Sequence, residues 1–183
     1  MTPVAIPDDV LAAIYAHAIA AFPDECCGYL VGAAPGAVDA MVACRNAQGD
    51  GEHPIAPELG ARGAETGFVI AGAELFRFAR SFDTDRPARV VYHSHTNGRA
   101  YFSTVDRRLA AGPAYPVQHI VIGVAPLVHR ARGPLEQVRQ ILGVPRPTSD
   151  RAPAITEVAQ FAWSEAARDH VEVARWAVDG ARR

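Results

Sequence analysis

The chain has 183 residues, 49% hydrophobic and 21% charged, with a net charge of −2, a pI near 6.4 and a mean hydropathy of +0.01. That length suits one domain able to bury a core, and the composition excludes a disordered chain. The near-neutral balance excludes a basic nucleic-acid binder, and no apolar run approaches the roughly 20 residues of a membrane span. In chain order, Pro7-Asp8-Asp9 opens a helix with acidic residues at the positive end of its macrodipole. Val10, Ile14, His17 and Ala18 recur at helical spacing to about Ala21. Pro23 ends the helix, Cys27 to Val31 is a short apolar strand closed by Gly32, and Ala33 to Ala37 turns into a second strand, about Val38 to Arg45. Asn46 to Gly67 is a long loop of Gly, Pro and charge, a length that goes with function or mobility.

Phe68-Val69-Ile70 reads as a brief strand, and Ala73 to Ser81 as an amphipathic helix with Leu75, Phe76 and Phe78. Arg89 to His95 follows as a central strand, Thr96 to Phe102 as a loop, Ser103 to Ala111 as a helix and Val117 to Val124 as another buried strand. Leu135 to Leu142 reads as a short helix and Gly143 to Pro153 as a Pro-rich linker. For Ile155 to Trp176 two patterns compete: alternation around Phe161, Trp163 and His170 to Val173 favours a hairpin across Glu165–Asp169, whereas the Ala-rich composition favours one continuous helix. Helices and strands mixed in this order imply an α+β fold, an α/β sandwich around a curved mixed sheet.

The chemistry concentrates at His93-Ser94-His95, followed after a seven-residue gap by Ser103-Thr104-Val105-Asp106. Two histidines at i and i+2 of a strand share a face, and two imidazoles on one face can share a metal ion at about 2.0–2.1 Å each. Ser103 is a good helix N-cap, and Asp106 falls in the first turn, where its carboxylate can reach back toward the strand end. Two histidines and a carboxylate, with a fourth position open for water, make the ligand set of a catalytic zinc site. The residues therefore read as a zinc hydrolase with metal ligands His93, His95 and Asp106.

The pattern H-S-H-x7-S-x-x-D resembles the JAMM (MPN+) zinc metalloprotease family, prokaryotic type. Phe22-Pro23-Asp24-Glu25-Cys26-Cys27-Gly28 is similar to the family's upstream Pro-x-Glu-x-Cys-Gly segment. The resemblance runs from about Ile6 to Val124, roughly two thirds of the chain, and implies an MPN/cytidine-deaminase-like architecture. It places a single domain over residues 1–183, with a core at about 6–124 and a C-terminal extension at 125–183. Because the family usually finishes with sheet strands, it tips Ile155 to Trp176 toward the hairpin. It further implies Glu25 as the general base that takes a proton from water and passes it to the leaving amine, and Ser103 as a donor to the developing oxyanion. Zinc is the implied cofactor. The implied substrate is a ubiquitin-like or sulfur-carrier protein with a Gly-Gly C-terminus, cleaved at a peptide or isopeptide bond. A non-catalytic MPN-type scaffold and a zinc amidohydrolase acting on a small amide are the alternatives. A deaminase is disfavoured, since its Cys-x-x-Cys and His-x-Glu signatures are lacking.

Other residues read as structural. Cys26, Cys27 and Cys44 do not make a disulfide framework, which agrees with a cytoplasmic location, and no basic segment at Met1-Thr2-Pro3 marks a signal peptide. Cys26 and Cys27 should point to opposite sheet faces, with Cys27 as a small core residue. His17, His53, His119, His129 and His170 have no paired spacing, and Trp163 and Trp176 read as packing. Arg99 and Tyr101 sit on the loop that rims the site. All 18 basic residues are arginine, for which biased codon usage is the simpler account than avoidance of lysine conjugation.

Overall fold

The computed structural model describes residues 1–48, 50, 62–111, 115–126, 152–176 and 178. Three helices, α1 (Asp8–Ala21), α2 (Gly72–Ser81) and α3 (Thr104–Ala111), alternate with six strands. The strands are β1 (Cys27–Val31), β2 (Ala40–Cys44), β3 (Ala88–His95), β4 (Gln118–Pro126), β5 (Pro153–Ser164) and β6 (Asp169–Trp176). All six form one mixed sheet in the order β2-β1-β3-β4-β5-β6. Neighbours are antiparallel except β3 and β4, which run parallel with α3 as the crossover between them.

Helix α1 begins at Pro7, whose extended backbone serves as N-cap, with Asp8 and Asp9 in the first turn. Its buried residues Val10, Leu11, Ile14 and Ala18 follow the helical repeat and lie on Leu30, Val90, Tyr92, Ile120 and Val158 of the sheet. The opposite sheet face packs Phe78 of α2 against Cys27, Tyr29 and Val91, and Ala110 of α3 packs against the cluster of Phe102, Val121 and Ala159. Strand β3 therefore lies between layers and is buried except at Arg89, which is why its sequence runs apolar almost without alternation. Gly28 has no room for a side chain: a Cβ there would stand 2.4 Å from the Val42 carbonyl and 2.5 Å from Tyr92 Oη.

The hairpin reading of Ile155 to Trp176 is correct. β5 and β6 pair antiparallel, and Arg168 takes a positive φ of 50° in the turn. β5 also pairs along β4 from His119↔Phe161 to Pro126↔Pro153, so this late segment completes the same sheet that carries the histidines. Three expectations need correction. Phe68-Val69-Ile70 is not a strand: the Val69 amide donates to the Asn46 side chain and its carbonyl accepts from Ala47, too little pairing for a ladder. The second strand is shorter than expected, because Val38 bonds back to Ala5 instead. Trp163 is 42% exposed and does not pack in the core, whereas Trp176 packs against the α1 side. The expected helix at Leu135–Leu142, much of the Gly143–Pro153 linker and part of the Asn46–Gly67 loop lie outside the described residues. No helix among the described residues is long and apolar enough to cross a membrane.

Candidate metal centre

His93 and His95 leave the C-terminal end of β3 on the same face, as the two-residue period requires. Their Nε2 atoms are 3.2 Å apart, and each lies 3.5 Å from Asp106 Oδ2. Ligands at about 2.0–2.1 Å around a tetrahedral zinc stand about 3.3–3.4 Å from one another. The three atoms thus outline one face of such a tetrahedron, and the donor set fits the ion. Among the described residues they are the one group of His, Cys, Asp or Glu side chains placed to share a metal.

The surroundings set the orientation of each ligand. His95 Nδ1 lies 3.2 Å from the Arg99 carbonyl oxygen, which can only accept, so the proton sits on Nδ1 and the Nε2 lone pair faces the centre. His93 is held by packing, its ring stacked on Phe68 with centroids 4.4 Å apart, while its buried Nδ1 has no hydrogen-bond partner. Asp106 Oδ2 accepts the Ser103 amide at 2.7 Å, and the Asp106 amide donates to Ser103 Oγ at 3.1 Å, a reciprocal cap at the start of α3. The capping interaction uses Ser103 Oγ as an acceptor and leaves its hydroxyl proton free to donate.

Burial works to raise the Asp106 carboxyl, but the His93 and His95 imidazoles and the Ser103 amide hold it well below the usual carboxylate range. Burial pushes His93 down, toward the neutral imidazole that binds metals. Burial opposes charge on His95 too, yet the facing Asp106 carboxylate leaves its proton affinity raised. Glu25 is buried and lines the same cavity of about 150 Å³ as His95, Ser103 and Asp106. Its carboxyl is pushed up to about 7, first by burial and then by the negative Asp106, with His95 and Arg62 pulling the other way. A carboxyl in that range both accepts and releases protons near neutrality.

Glu25 reaches this place from far along the chain. Cys27 pairs with His93 across β1 and β3. The next residues out are tied by Ser94, whose Oγ accepts the Cys26 amide at 2.8 Å and whose amide donates to the Cys26 carbonyl at 3.1 Å. Asn46 Nδ2 donates to the Glu25 carbonyl at 3.0 Å and to the Gly67 carbonyl at 2.9 Å, joining the base to the cavity wall. Sequence reasoning missed both residues. A hydroxyl between two ligands, facing away from them, was the available signal for Ser94; nothing in the local pattern marked Asn46.

The rim loop is also fixed. Gly98, at φ +79°, lies so close to β4 that a Cβ on Gly123 would stand 2.4 Å from its carbonyl oxygen, and the Ala100 amide donates to Glu157 Oε2 at 3.0 Å. Tyr101 is 45% exposed and lines the cavity, its ring 4.7 Å from that of His95, as its rim position implied; Arg99 contributes its carbonyl oxygen. Cys26 and Cys27 do lie in opposite cores, and burial raises both thiols, Cys26 to about 11 and Cys27 further, so neither offers a thiolate. His17 shares a 2.8 Å hydrogen bond with Tyr92 Oη, and His119 and His170 pack against Phe102, all outside the metal triangle. His53 and His129 lie outside the described residues.

Among solved structures the chain is similar to a protein of Desulfitobacterium hafniense, with 19% identity over 91% of this chain and 87% of that one and a TM-score of 0.51. It is also similar to a protein of Salinibacter ruber, with 19% identity over 94% of this chain and 88% of that one and a TM-score of 0.49. A JAB1/MPN domain protein of Archaeoglobus fulgidus matches with 18% identity over 67% of this chain and 77% of that one, at a TM-score of 0.37. The first of these supports the fold alone. No curated protein matches the chain. The model of the family described as prokaryotic homologs of the JAB domain matches residues 7–139, most of the chain and all five site residues. The chain belongs to that Prok-JAB family.

Proposed function

We propose that this protein is a zinc-dependent peptidase or isopeptidase that cleaves after the Gly-Gly tail of a ubiquitin-like or sulfur-carrier protein in the cytoplasm. The observation that carries the reading is the near-equilateral triangle of His93, His95 and Asp106 ligand atoms, opening on a cavity that also holds Glu25 and Ser103. His93, His95 and Asp106 would hold the zinc ion, which when bound would supply Lewis acidity toward a water and a scissile carbonyl. Glu25 takes the proton from the attacking water and delivers it to the departing nitrogen, a role worth about 10²–10⁴-fold. The Ser103 hydroxyl donates to the oxygen on which negative charge develops, while its Oγ remains the cap of α3. Phe68 and Tyr101 line the cavity with aromatic surface, and a glycine tail, which carries no side chains, suits the space beside them. An extended tail would add its main chain beside an exposed sheet edge.

The test is cleavage of a Gly-Gly-tailed fusion by the full chain loaded with zinc, then after chelation, alongside metal analysis. Zinc near one equivalent and cleavage that chelator abolishes and zinc restores are the expected results. A protein with no affinity for zinc would instead be a scaffold. Zinc binding with turnover of small amides only would make it an amidohydrolase.

A further inference from the structure

The peptide group between Arg99 and Ala100 is gripped from both ends. Its carbonyl oxygen lies 3.2 Å from His95 Nδ1, the contact that fixes the tautomer of a metal ligand. Its N–H donates to Glu157 Oε2 at 3.0 Å. The bond is trans, so the carbonyl and the N–H point in opposite directions within one plane. A carboxylate on β5 and an imidazole on β3 are thus joined through a single peptide unit. The carboxylate is itself fixed. Arg175 on β6 reaches Glu157 Oε2 from Nη1 at 3.4 Å, and its Nη2 donates to the Ala100 carbonyl at 3.1 Å and to Glu172 Oε2 at 2.6 Å. Thr156, next to Glu157, donates its hydroxyl to the Gly98 carbonyl. Ala100 is buried in the cluster of Phe102, Val121 and Ala159. Both β5 and β6 lie beyond residue 139, where the family match ends, so the family pattern does not account for these contacts.

We infer that Glu157 is a positioning residue of the metal centre: through the Arg99–Ala100 peptide it aims and strengthens the hydrogen bond that makes His95 a zinc ligand. This rests on zinc occupying the triangle of His93, His95 and Asp106, and not on which bond the protein cleaves. A carboxylate at the N–H end pushes the peptide's electron density toward its carbonyl oxygen. That oxygen becomes a better acceptor for His95 Nδ1–H. A stronger bond at Nδ1 in turn raises the basicity of Nε2, the atom that faces the metal. Carboxylates commonly do this for metal-bound histidines by direct contact; here one peptide unit stands between. His93 has no hydrogen-bond partner at its own Nδ1, so the support falls on His95. The Glu157 and Arg175 side chains are each 43% exposed, so their charges are screened and the effect depends on the direct hydrogen bond. An uncharged acceptor of the same shape should therefore serve almost as well.

The test compares the wild-type full chain with Glu157→Ala and Glu157→Gln. Two readouts are taken: competitive chelator titration of zinc, and the proton resonance of His95 Nδ1–H in the zinc-loaded protein. Glu157→Ala should weaken zinc binding about tenfold, the lower end of what losing an outer partner costs. Its Nδ1–H resonance should move upfield and exchange faster with water. Glu157→Gln still accepts from the Ala100 amide, so it should hold the loss of affinity within about threefold and return the resonance most of the way. Arg86→Gln removes an exposed ion pair to Asp39 near the opposite end of β3 and should change neither readout. An unmoved resonance or an unchanged zinc affinity in Glu157→Ala overturns the role of Glu157 and leaves the metal centre standing, whatever happens to the melting temperature. A loss that Glu157→Gln does not restore overturns it as well, because the peptide contact is then not the cause. A wild-type chain with no affinity for zinc overturns the metal centre and this role together.

Discussion

Two buried histidine pairs occupy one face of the same sheet, and only one is built to hold a cation. His93 and His95 point at a shared carboxylate, Asp106, with all three ligand atoms 3.2–3.5 Å apart. His119 and His170 approach as closely, with ring centroids 5.1 Å apart, but their neighbours are Phe102 and Trp163. The nearest acid in sequence, Asp169, is turned to Arg107 at 2.7 Å. Burial therefore drives His119 down to about 3, with the neighbouring His170 adding to it, and the pair stays neutral packing. Proximity of imidazoles does not make a metal centre; a desolvated carboxylate aimed at them does.

That contrast can be broken most severely at Asp106. Asp106→Asn keeps an acceptor for the Ser103 amide but removes the charge, and zinc affinity should fall by more than the roughly 10–100-fold that losing an outer partner costs. A competitive chelator titration reads it, and unchanged affinity would show that the carboxylate is not a ligand. Glu25→Gln should lower kcat by about 10²–10⁴ while zinc stoichiometry holds, measured by turnover of the Gly-Gly fusion and by metal analysis. Ser103→Ala should slow turnover by about 10²–10³ through the lost oxyanion donor and cost about 0.5–2 kcal/mol of stability through the lost cap. Loss of stability alone would leave Ser103 as a cap only.

The pH dependence of the metal-free protein sharpens the contrast more gently. A carboxyl raised from 4.5 to about 7 on folding stabilises the fold while protonated, and that contribution is lost as pH rises through 7. Relative to wild type, metal-free Glu25→Gln should gain thermal stability between pH 5.5 and pH 8; parallel melting profiles would place Glu25 in an ordinary environment. The smallest effect is expected at the second pair. His119→Phe should leave zinc stoichiometry unchanged and shift stability by less than about 1.5 kcal/mol, as a shape-conserving change in packing does. Loss of zinc there would erase the distinction between the pairs.

Much of this was legible locally. The period of two put His93 and His95 on one face, Ser103 announced the start of α3, and Asp106 followed from the geometry of a first helical turn. The helix at Asp8–Ala21, the strand Cys27–Val31 and the metal-bearing strand follow from local repeat and from Pro and Gly punctuation. Phe68-Val69-Ile70 misled because three apolar residues in a row fit a strand, and only the absence of a partner ladder denies it. Trp163 misled because a large aromatic ring gives no sign of which face it will occupy on β5.

Sequence by itself determined the ligand types and their spacing, because helix and strand periods are properties of a few adjacent residues. Tertiary structure alone decided what stands opposite them. Cys26 lies 68 residues from Ser94, and the contact that seats Glu25 exists only because β1 and β3 pair in one register. Likewise, only the folded chain brings Arg62 to the wall of the cavity and Pro153–Trp176 into the sheet that carries the histidines. The reason is physical: register and layer packing are set by burying apolar faces against distant segments, and no local preference encodes which distant segment that will be.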